Sequence, residues 1–547
     1  MVRSQKLLLP ALLLARLAAP AQTIDQNAEK ALDAVKPATL EAHVRYLADD
    51  KLRGRLPGTP GYQLAVDYVT KQLKDNGVAP AGERGGYTQR VRLRRAFVEP
   101  GAVLSLQPAA GGAQPLALGL AVAVYPNPGQ AEVRVEQAPL AFVGYGISAP
   151  ELKYDDYAGQ NVKGKVVVVT RQPPKQFGDN ERQYFGDVRT VLETAARHGA
   201  VGVLLALPRP EAHLPDFAKG LVSALGPDGK VAVSRSYAAG SAQLVGSISA
   251  ATLQEIFAGA TQDTAQALSA LRAGKPASLV LPGRLNASYR SRYQDIDGYN
   301  VVGKIEGSDP LLRDTYVVHS AHLDHLGVGT PVEGDSIFNG AHDNATGVAS
   351  VLEISRMYSK LRPKPRRSVL FVLVTGEEMG LIGSSYFARF PTVPAVSLVA
   401  DVNTDMPTII APLLSVVALG ADHSSLLGQV QTAARYLKLA IEADPEPTQN
   451  RFIRSDQYSF VVRGVPALHI KYGNRTADGQ NNLAETVQKW RARTYHKPQD
   501  NYVGGTFDWA AGVKYAQLNF LIGYLVAQNP QHPTWNKGDF FGARFGK

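Results

Sequence analysis

Short apolar runs bounded by turn-forming residues dominate the second half of the chain. Residues 316–318, 369–374 and 396–400 are three such runs, rich in valine and leucine. Runs of this length are typical of strands that are buried on both faces. Between the first two, residues 347–354 carry apolar side chains at helical spacing, with the Asp-Asn pair 343–344 at the expected helix start. The pattern predicts an α/β fold with a mixed, largely parallel sheet flanked by helices.

Acidic and imidazole side chains occur close to the ends of these apolar runs. In an open parallel sheet the loops at the strand ends meet at one rim, and functional groups collect there. We therefore expect these segments to lie together, with Asp343 at a helix N-terminus on the same rim. The segments are His322-Leu323-Asp324-His325, Gly340-Ala341-His342-Asp343-Asn344, Gly376-Glu377-Glu378, Asn403-Thr404-Asp405-Met406 and Tyr495-His496.

The residue types in these segments match the ligand preferences of zinc. Zinc binds imidazole nitrogen and carboxylate oxygen, and a catalytic zinc keeps one coordination position open for water. Five protein ligands are enough for two metals if one carboxylate bridges them, and Asp343 in its tight turn is our choice for the bridge. The other predicted ligands are His322, Glu378, Asp405 and His496.

Two further carboxylates receive roles without direct metal contact. Asp324 lies two residues after His322, so we expect it to accept the second imidazole N–H and orient the ring. Glu377 stands beside Glu378 and is not needed as a ligand, so we predict that it moves the protons of hydrolysis. Nearby histidines are interpreted as supporting residues or left without a role: His319, His325 and His342.

The five segments resemble peptidase family M28, whose members are zinc aminopeptidases. The family's His-x-Asp, Gly-Ala-x-Asp-Asn, Glu-Glu, Asp-Met and late His segments all occur here, in family order. The resemblance implies a zinc-exopeptidase fold, two Zn²⁺ ions per chain and removal of the first residue from peptides with a free amino terminus. It places the ligand roles on His322, Asp343, Glu378, Asp405 and His496, the general base on Glu377 and the histidine-orienting role on Asp324.

The first half of the chain resembles other parts of the same peptidases. Residues 52–61 resemble the family's N-terminal helical part, and segments between residues 143 and 205 resemble a protease-associated (PA) domain. A length of 547 residues also exceeds what one core usually serves. The predicted division is a signal peptide (1–21), an N-terminal part of the peptidase domain (22–94), a β-rich insert containing the PA domain (95–290) and the zinc peptidase domain (291–547).

The amino terminus is typical of a secretory signal. Arg3 and Lys6 precede an apolar stretch, and residues 19–21 offer a small-x-small cleavage site. The stretch is shorter than the about 20 residues that a spanning helix needs. We therefore expect a secreted or periplasmic protein with no stable membrane anchor. The chain has no cysteine, which excludes disulfides and thiol catalysis.

Charge adds little to this interpretation. The formal net charge is +10, and cleavage after residue 21 would remove three cations, leaving +7. The densest basic stretch, residues 362–367, is interpreted as a solvated loop, because lysine and arginine are ordinarily exposed. Nucleic acid is therefore not an expected partner.

Two other functions remain open at this point. A carboxypeptidase or dipeptidase of the glutamate-carboxypeptidase type shares both the metal site and the insert. Such an enzyme needs arginines that face the substrate pocket, and the candidates are Arg451, Arg454 and Arg463. A non-catalytic binding protein would have lost metal ligands, and the complete ligand set argues against it.

Overall fold

The chain folds into two β-sheets that share one long strand and are flanked by helices. The structure, a computed structural model, describes residues 23–546, so the predicted signal peptide lies outside the described residues. The α-helices are α1 (Gln26–Ala31), α2 (Pro37–Leu47), α3 (Pro60–Asp75), α4 (Asp179–Gly186), α5 (Val188–Arg197), α6 (Ala250–Phe257), α7 (Thr264–Arg272), α8 (Thr346–Lys360), α9 (Ile382–Arg389), α10 (Leu426–Tyr436), α11 (Gln457–Val461), α12 (Leu483–Thr494), α13 (Trp509–Gln528) and α14 (Phe540–Phe545). The strands are β1 (Ala79–Pro80), β2 (Thr88–Val98), β3 (Val103–Gln107), β4 (Gln114–Pro115), β5 (Val122–Val124), β6 (Glu132–Val143), β7 (Ser148–Ala149), β8 (Tyr154–Asp155), β9 (Val166–Thr170), β10 (Gly202–Ala206), β11 (Leu221–Leu225), β12 (Val231–Val233), β13 (Leu244–Ile248), β14 (Ser278–Ile305), β15 (Tyr316–His322), β16 (Gly327–Val332), β17 (Asp335–Phe338), β18 (Ser368–Val374), β19 (Leu398–Asn403), β20 (Ser415–Leu419), β21 (Ala440–Ile441) and β22 (Ala467–Tyr472).

The larger sheet has parallel strands at its centre. Strand β18 pairs with β15, β15 with β19 and β19 with β22, all in parallel. The flanking pairs β14–β18 and β20–β22 are antiparallel. The predicted mixed α/β sheet is confirmed, and its central strands are parallel because crossover segments containing α8 and α9 return the chain to the same edge.

Burial on both faces explains why the apolar runs form strands. Every residue of β15 and of β18 is buried. Along β18, Phe371 enters one apolar core with Leu352 and Leu521, whereas its neighbour Val372 enters a second core with Phe387. Each buried side chain of this size stabilises the fold by about 1.5–3 kcal/mol. Polar groups are therefore costly along the strands and concentrate at their ends.

The second sheet lies in the first half of the chain and has apolar cores of its own. Its order is β4-β3-β14-β6-β9-β10-β13-β5, where β14 contributes its first half. Residues 291–301 of the same strand pair with β2 in the larger sheet. Strand β11, which falls inside the predicted insert, also pairs with β2. The domain boundaries at 94/95 and 290/291 stay a prediction.

The carboxyl-terminal segment joins the two parts of the molecule. Phe541 of α14 is fully buried in the larger sheet's second core, and Phe540 and Phe545 contact both that core and a core of the second sheet. Arg544 adds an ion pair with Glu151 at 3.3 Å. Contacts to both cores from one short helix hold the two sheets side by side.

Among residues 23–546, no helix is both long enough and apolar enough to cross a membrane.

Candidate metal centre

The predicted ligands all lie at the edge where the parallel strands end. His322 is the last residue of β15, and Asp405 comes two residues after β19. Glu378 follows β18, while Asp343 sits in the turn that leads into α8. His496 comes from the loop after α12. Residues far apart in sequence therefore meet at one rim, as expected for parallel strands.

The ligand atoms form two groups that share Asp343. Nε2 of His322 lies 3.2 Å from Oδ1 of Asp343 and 3.5 Å from Oδ1 of Asp405. Nε2 of His496 lies 3.4 Å from Oδ2 of Asp343 and 3.2 Å from Oε2 of Glu378. Each oxygen of Asp343 thus faces a different imidazole. This is the arrangement that a bridging carboxylate requires.

The donor separations fit zinc. Two donors about 2.0–2.1 Å from one tetrahedral zinc are about 3.3 Å apart, and the four separations lie between 3.2 and 3.5 Å. The buried Oε1 of Glu378 has no hydrogen-bond partner within the described part of the chain, a deficit that a nearby cation offsets. The side chain of His322 is 1% exposed and that of His496 is 37% exposed. The donor group that contains His496 therefore lies nearer to the solvent.

Electrostatics keep these carboxylates ionised. Burial by itself would raise the pKa of Asp343, but the hydrogen bonds of His322 and His496 outweigh it and hold the pKa well below its ordinary value. The pKa of Glu378 is also lowered, because its contacts with His325 and His496 outweigh burial and the negative charge of Asp343.

His325, whose role the sequence left open, lies directly against Glu378. Its Nδ1 is 2.7 Å from Oε1 of Glu378, and the ring is fully buried. Within residues 23–546, neither Nδ1 of His325 nor Oε1 of Glu378 has a partner in hydrogen-bond geometry. His325, Asp343 and Glu378 together offer donor atoms within 4.8 Å of one another. His325 is thus a sixth donor beside the second group, which spacing in the sequence did not indicate.

Asp324 makes different contacts from those expected. Nδ1 of His322 lies 3.2 Å from the backbone carbonyl oxygen of Asp324, so the carbonyl orients the ring. The Asp324 carboxylate instead accepts the backbone N–H groups of Glu377 at 3.1 Å and Glu378 at 3.3 Å. The reason is topological: β15 and β18 are parallel neighbours, so their exit loops touch. Burial raises the pKa of Asp324 to about 6.

Asp405 is fixed by three side chains that the sequence did not single out for this purpose. Oγ of Ser455 donates to Oδ2 of Asp405 at 2.6 Å, which leaves Oδ1 toward His322. Nζ of Lys471 donates to the backbone carbonyl of Asp405 at 2.7 Å, and Nε2 of His469 lies 2.8 Å from the same oxygen. Burial lowers the pKa of Lys471 to about 8.

A buried arginine ties the rim loops together. Nε of Arg55 donates to the carbonyl of Leu323 at 2.9 Å, and its terminal nitrogens donate to the carbonyls of Leu47, Asn339 and Gly340 at 2.6–3.0 Å. The side chain is 1% exposed, and burial lowers its pKa to about 10. The sequence shows only that Arg55 lies in a glycine-containing stretch, residues 52–61. The carbonyl groups that it contacts are known only from the fold.

The turn that carries Asp343 is held by Asp500 and Asn344. The two oxygens of Asp500 accept the backbone N–H groups of His342 at 2.9 Å and Asp343 at 3.0 Å. Asn344 donates to the carbonyl of Thr404 at 2.9 Å and so links this turn to the Asp405 loop. Gly340 has a φ of +61°, and a Cβ there would lie 2.0 Å from the carbonyl oxygen of Asp343. The tight turn therefore requires glycine.

Glu377 lines a cavity together with two of the candidate ligands but stands outside both donor groups. The cavity also contains Asp343, Asp405 and Tyr495. Burial, together with the negative charge of Glu378, raises the pKa of Glu377 well above its ordinary value. A carboxylate with a raised pKa is a stronger base than one in water, which suits it to accept a proton near neutral pH.

The remaining histidines pack in the interior. His319 is fully buried with Nε2 3.3 Å from the hydroxyl of Tyr358, so it lies inside the sheet rather than on the rim. His342 stacks on Phe507 with ring centroids 4.5 Å apart, and its Nδ1 is 3.3 Å from Asp500. Neither ring belongs to the two donor groups.

One family model matches the second half of the chain. Residues 300–519 match the model of peptidase family M28, a stretch that contains every predicted ligand. These residues are the part of the chain that is similar to peptidase family M28. The resemblance noted in the five rim segments is confirmed for this part of the sequence.

Curated relatives match this chain over shorter segments. A "Probable zinc metalloprotease" of Pyrenophora teres f. teres is 35% identical over 107 residues, which cover 19% of this chain and 22% of that protein. "Aminopeptidase NAALADL1" of Mus musculus is 34% identical over 127 residues, covering 22% of this chain and 15% of the mouse protein. The chain thus matches less than a quarter of the length of either relative.

Among solved structures, an aminopeptidase from Aneurinibacillus sp. strain AM-1 aligns with most of this chain. The alignment covers 92% of this chain and 95% of that one, at 18% identity and a TM-score of 0.48.

Several cations share the cavity with the carboxylates. They are Arg451, Arg454, Lys471 and Arg491. Arg451 is ion-paired with Asp444 and, at 3.4 Å, with Glu446. Arg454 has no acidic partner within the described residues. Arg463, the third candidate from the sequence, does not line this cavity.

Proposed function

We propose that the protein is a secreted metallo-aminopeptidase with two zinc ions per chain, which hydrolyses the first peptide bond of peptides with a free amino terminus. The single observation that supports this most strongly is the sharing of Asp343 between two donor groups at 3.2–3.5 Å. The ligand set would be His322, Asp343 and Asp405 for one ion and Asp343, Glu378 and His496 for the other. The name of the mouse relative supports amino-terminal cleavage, and the insert at residues 95–290 is proposed as a PA domain.

Zinc bound by these residues would acidify water and polarise the scissile carbonyl. Glu377 accepts the proton of the attacking water and afterwards returns it to the nitrogen of the leaving amine. Asp324 keeps Glu377 and Glu378 in place through their backbone N–H groups. His325 positions Glu378 so that Oε2 points toward His496.

A carboxypeptidase of the glutamate-carboxypeptidase type is the second candidate. The observation that favours it is Arg454, which lines the cavity without an acidic partner in the described part of the chain. An unpaired guanidinium binds a carboxylate well, because its donors match the two carboxylate oxygens.

Hydrolysis of a matched peptide pair tests the proposal. One peptide has a free amino terminus, and the other is the same peptide with an acetylated amino terminus. After zinc loading, we expect release of the first residue from the free peptide alone, and loss of that activity with a chelator. Carboxyl-end cleavage of the acetylated peptide would instead establish the second candidate. Direct metal analysis of the loaded protein gives the number of zinc ions.

A further inference from the structure

A cleft of about 440 Å³ lies beside the candidate metal centre, and its lining contains six basic and two acidic side chains. Its basic residues come from loops and helix ends of the first half of the chain and from the turn before α11. The cleft and the catalytic cavity share Arg454, so they are neighbours. The basic residues are Arg171, Lys175, Arg182, Arg235, Arg272 and Arg454.

Only part of this positive charge is balanced. Asp187 lies 3.2 Å from Arg235, and Asp179 lies 3.8 Å from Arg182. The other four lining cations have no acidic side chain within ion-pair distance anywhere in residues 23–546: Arg171, Lys175, Arg272 and Arg454. All four are exposed, so they are free to contact a ligand.

The shape of the site makes this excess charge effective. A concave surface with charges of one sign concentrates the field and raises the local concentration of ions of opposite charge. A volume of about 440 Å³ is within the range of ligand pockets. Tyr145 is the one aromatic side chain among the lining residues, and it is 6% exposed. The cleft therefore suits carboxylates of a peptide better than the stacked bases of a nucleic acid.

We propose that this cleft binds acidic side chains of the peptide on the carboxyl-terminal side of the cleaved bond, so that the enzyme prefers acidic peptides. The inference rests on the proposed aminopeptidase function, because it assumes that the amino terminus of the substrate lies at the metal centre. The downstream residues of the peptide then extend past Arg454 into the cleft.

Three hexapeptides with the same first residue test the preference: Leu-Ala-Ala-Asp-Asp-Ala and its Asn-Asn and Lys-Lys counterparts. An exposed ion pair changes binding by a few-fold, so we expect kcat/KM to be about 3–10-fold higher for the Asp-Asp peptide than for the Asn-Asn peptide, and lowest for Lys-Lys. In 1 M salt the difference should shrink toward one, because the Debye length falls to about 3 Å.

A charge-reversed variant locates the effect. In the double variant Arg171→Glu/Arg272→Glu the acidic preference should disappear or reverse. The matched control is Arg134→Glu, which alters an arginine of β6 that is 72% exposed and does not line the cleft. The control should keep the wild-type preference. Equal kcat/KM for the Asp-Asp and Asn-Asn peptides, or a preference that survives the double variant, would overturn the inference.

Binding measurements separate this inference from the proposed function. Zinc-loaded Glu377→Gln protein is titrated calorimetrically with the same peptides, with an oligonucleotide of equal charge as a competitor. Tighter binding of the acidic peptide supports the cleft even if the wild type hydrolyses none of the three, an outcome that would contradict only the proposed function. Equal affinities, or selective binding of the oligonucleotide alone, would refute the cleft's role.

Discussion

Two buried carboxylates in different parts of the molecule, Asp156 and Asp343, have pKa values shifted in opposite directions. Asp156, in the first half of the chain, accepts the backbone N–H groups of Tyr145 and Ile147 and the hydroxyl of Tyr154. These donors are all neutral, and burial raises the pKa of Asp156 to about 7. Asp343 is buried as deeply, but two imidazoles lower its pKa far below the ordinary value.

The comparison shows what makes a buried carboxylate a metal-ligand candidate. Burial alone favours the neutral acid, because a charge loses its hydration. Hydrogen bonds and nearby positive charges reverse this effect. The rim supplies both through its imidazoles, at donor separations that a cation can satisfy. Asp156 is therefore a hydrogen-bonding centre for a loop, whereas Asp343 is an anion held ready for a cation.

The largest expected effect is that of Asp343→Ala. Because Asp343 belongs to both donor groups, its loss should abolish binding of both zinc ions and reduce activity by at least about 10⁴-fold. Metal analysis after dialysis measures the stoichiometry directly. Two retained ions per chain would show that Asp343 is not shared.

The variant Glu377→Gln should separate chemistry from metal binding. Its amide cannot accept the proton, so we expect kcat to fall by about 10²–10⁴-fold. Zinc content should stay at the wild-type level, since Glu377 lies outside both donor groups. Near-normal turnover of the zinc-loaded variant would refute the assigned role.

The next largest effect is expected from Arg55→Met, which tests the rim's structural support. The variant leaves four buried carbonyl oxygens without their shared donor, and we expect the free energy of unfolding to fall by about 3–5 kcal/mol. Chemical denaturation followed by circular dichroism measures it. Arg53→Met is the matched control, because the exposed Arg53 precedes the same turn. A loss in the control equal to that of Arg55→Met would contradict the assigned contacts.

The smallest effect concerns Asp156 and its pH dependence. The unfolded pKa is near 4 and the folded pKa is about 7, so the folded protein binds the proton more tightly. The contribution of Asp156 to the free energy of unfolding is fully present below about pH 4. It falls as the pH rises to about 7, and the total loss is a few kcal/mol at most. In Asp156→Asn the dependence should vanish, as measured by urea unfolding at several pH values. An unchanged pH profile in the variant would show that another group is responsible.

The sequence allowed us to predict which candidate ligand residues lie together, but not the contacts that hold them in place. His322, Asp343, Glu378 and Asp405 follow apolar runs, so strand ends and residue types were enough to bring these four together. His496 follows helix α12 instead, and the family resemblance was the signal for it. Predictions failed where a contact depends on which loops are neighbours. The carboxylate of Asp324 reaches the Glu377 loop instead of His322 because β15 and β18 are adjacent.

The sequence by itself determined the central parallel strands, the M28 resemblance and the types of ligand, because continuous apolar runs and ligand chemistry are local properties of the chain. Tertiary structure alone decided the partners of Arg55, the contact of His325 with Glu378 and the basic cleft. Each of these contacts joins residues that are distant in sequence. The direction of a long polar side chain cannot be predicted from a periodic pattern in the sequence. Their roles follow from which surfaces the folded sheets bring together.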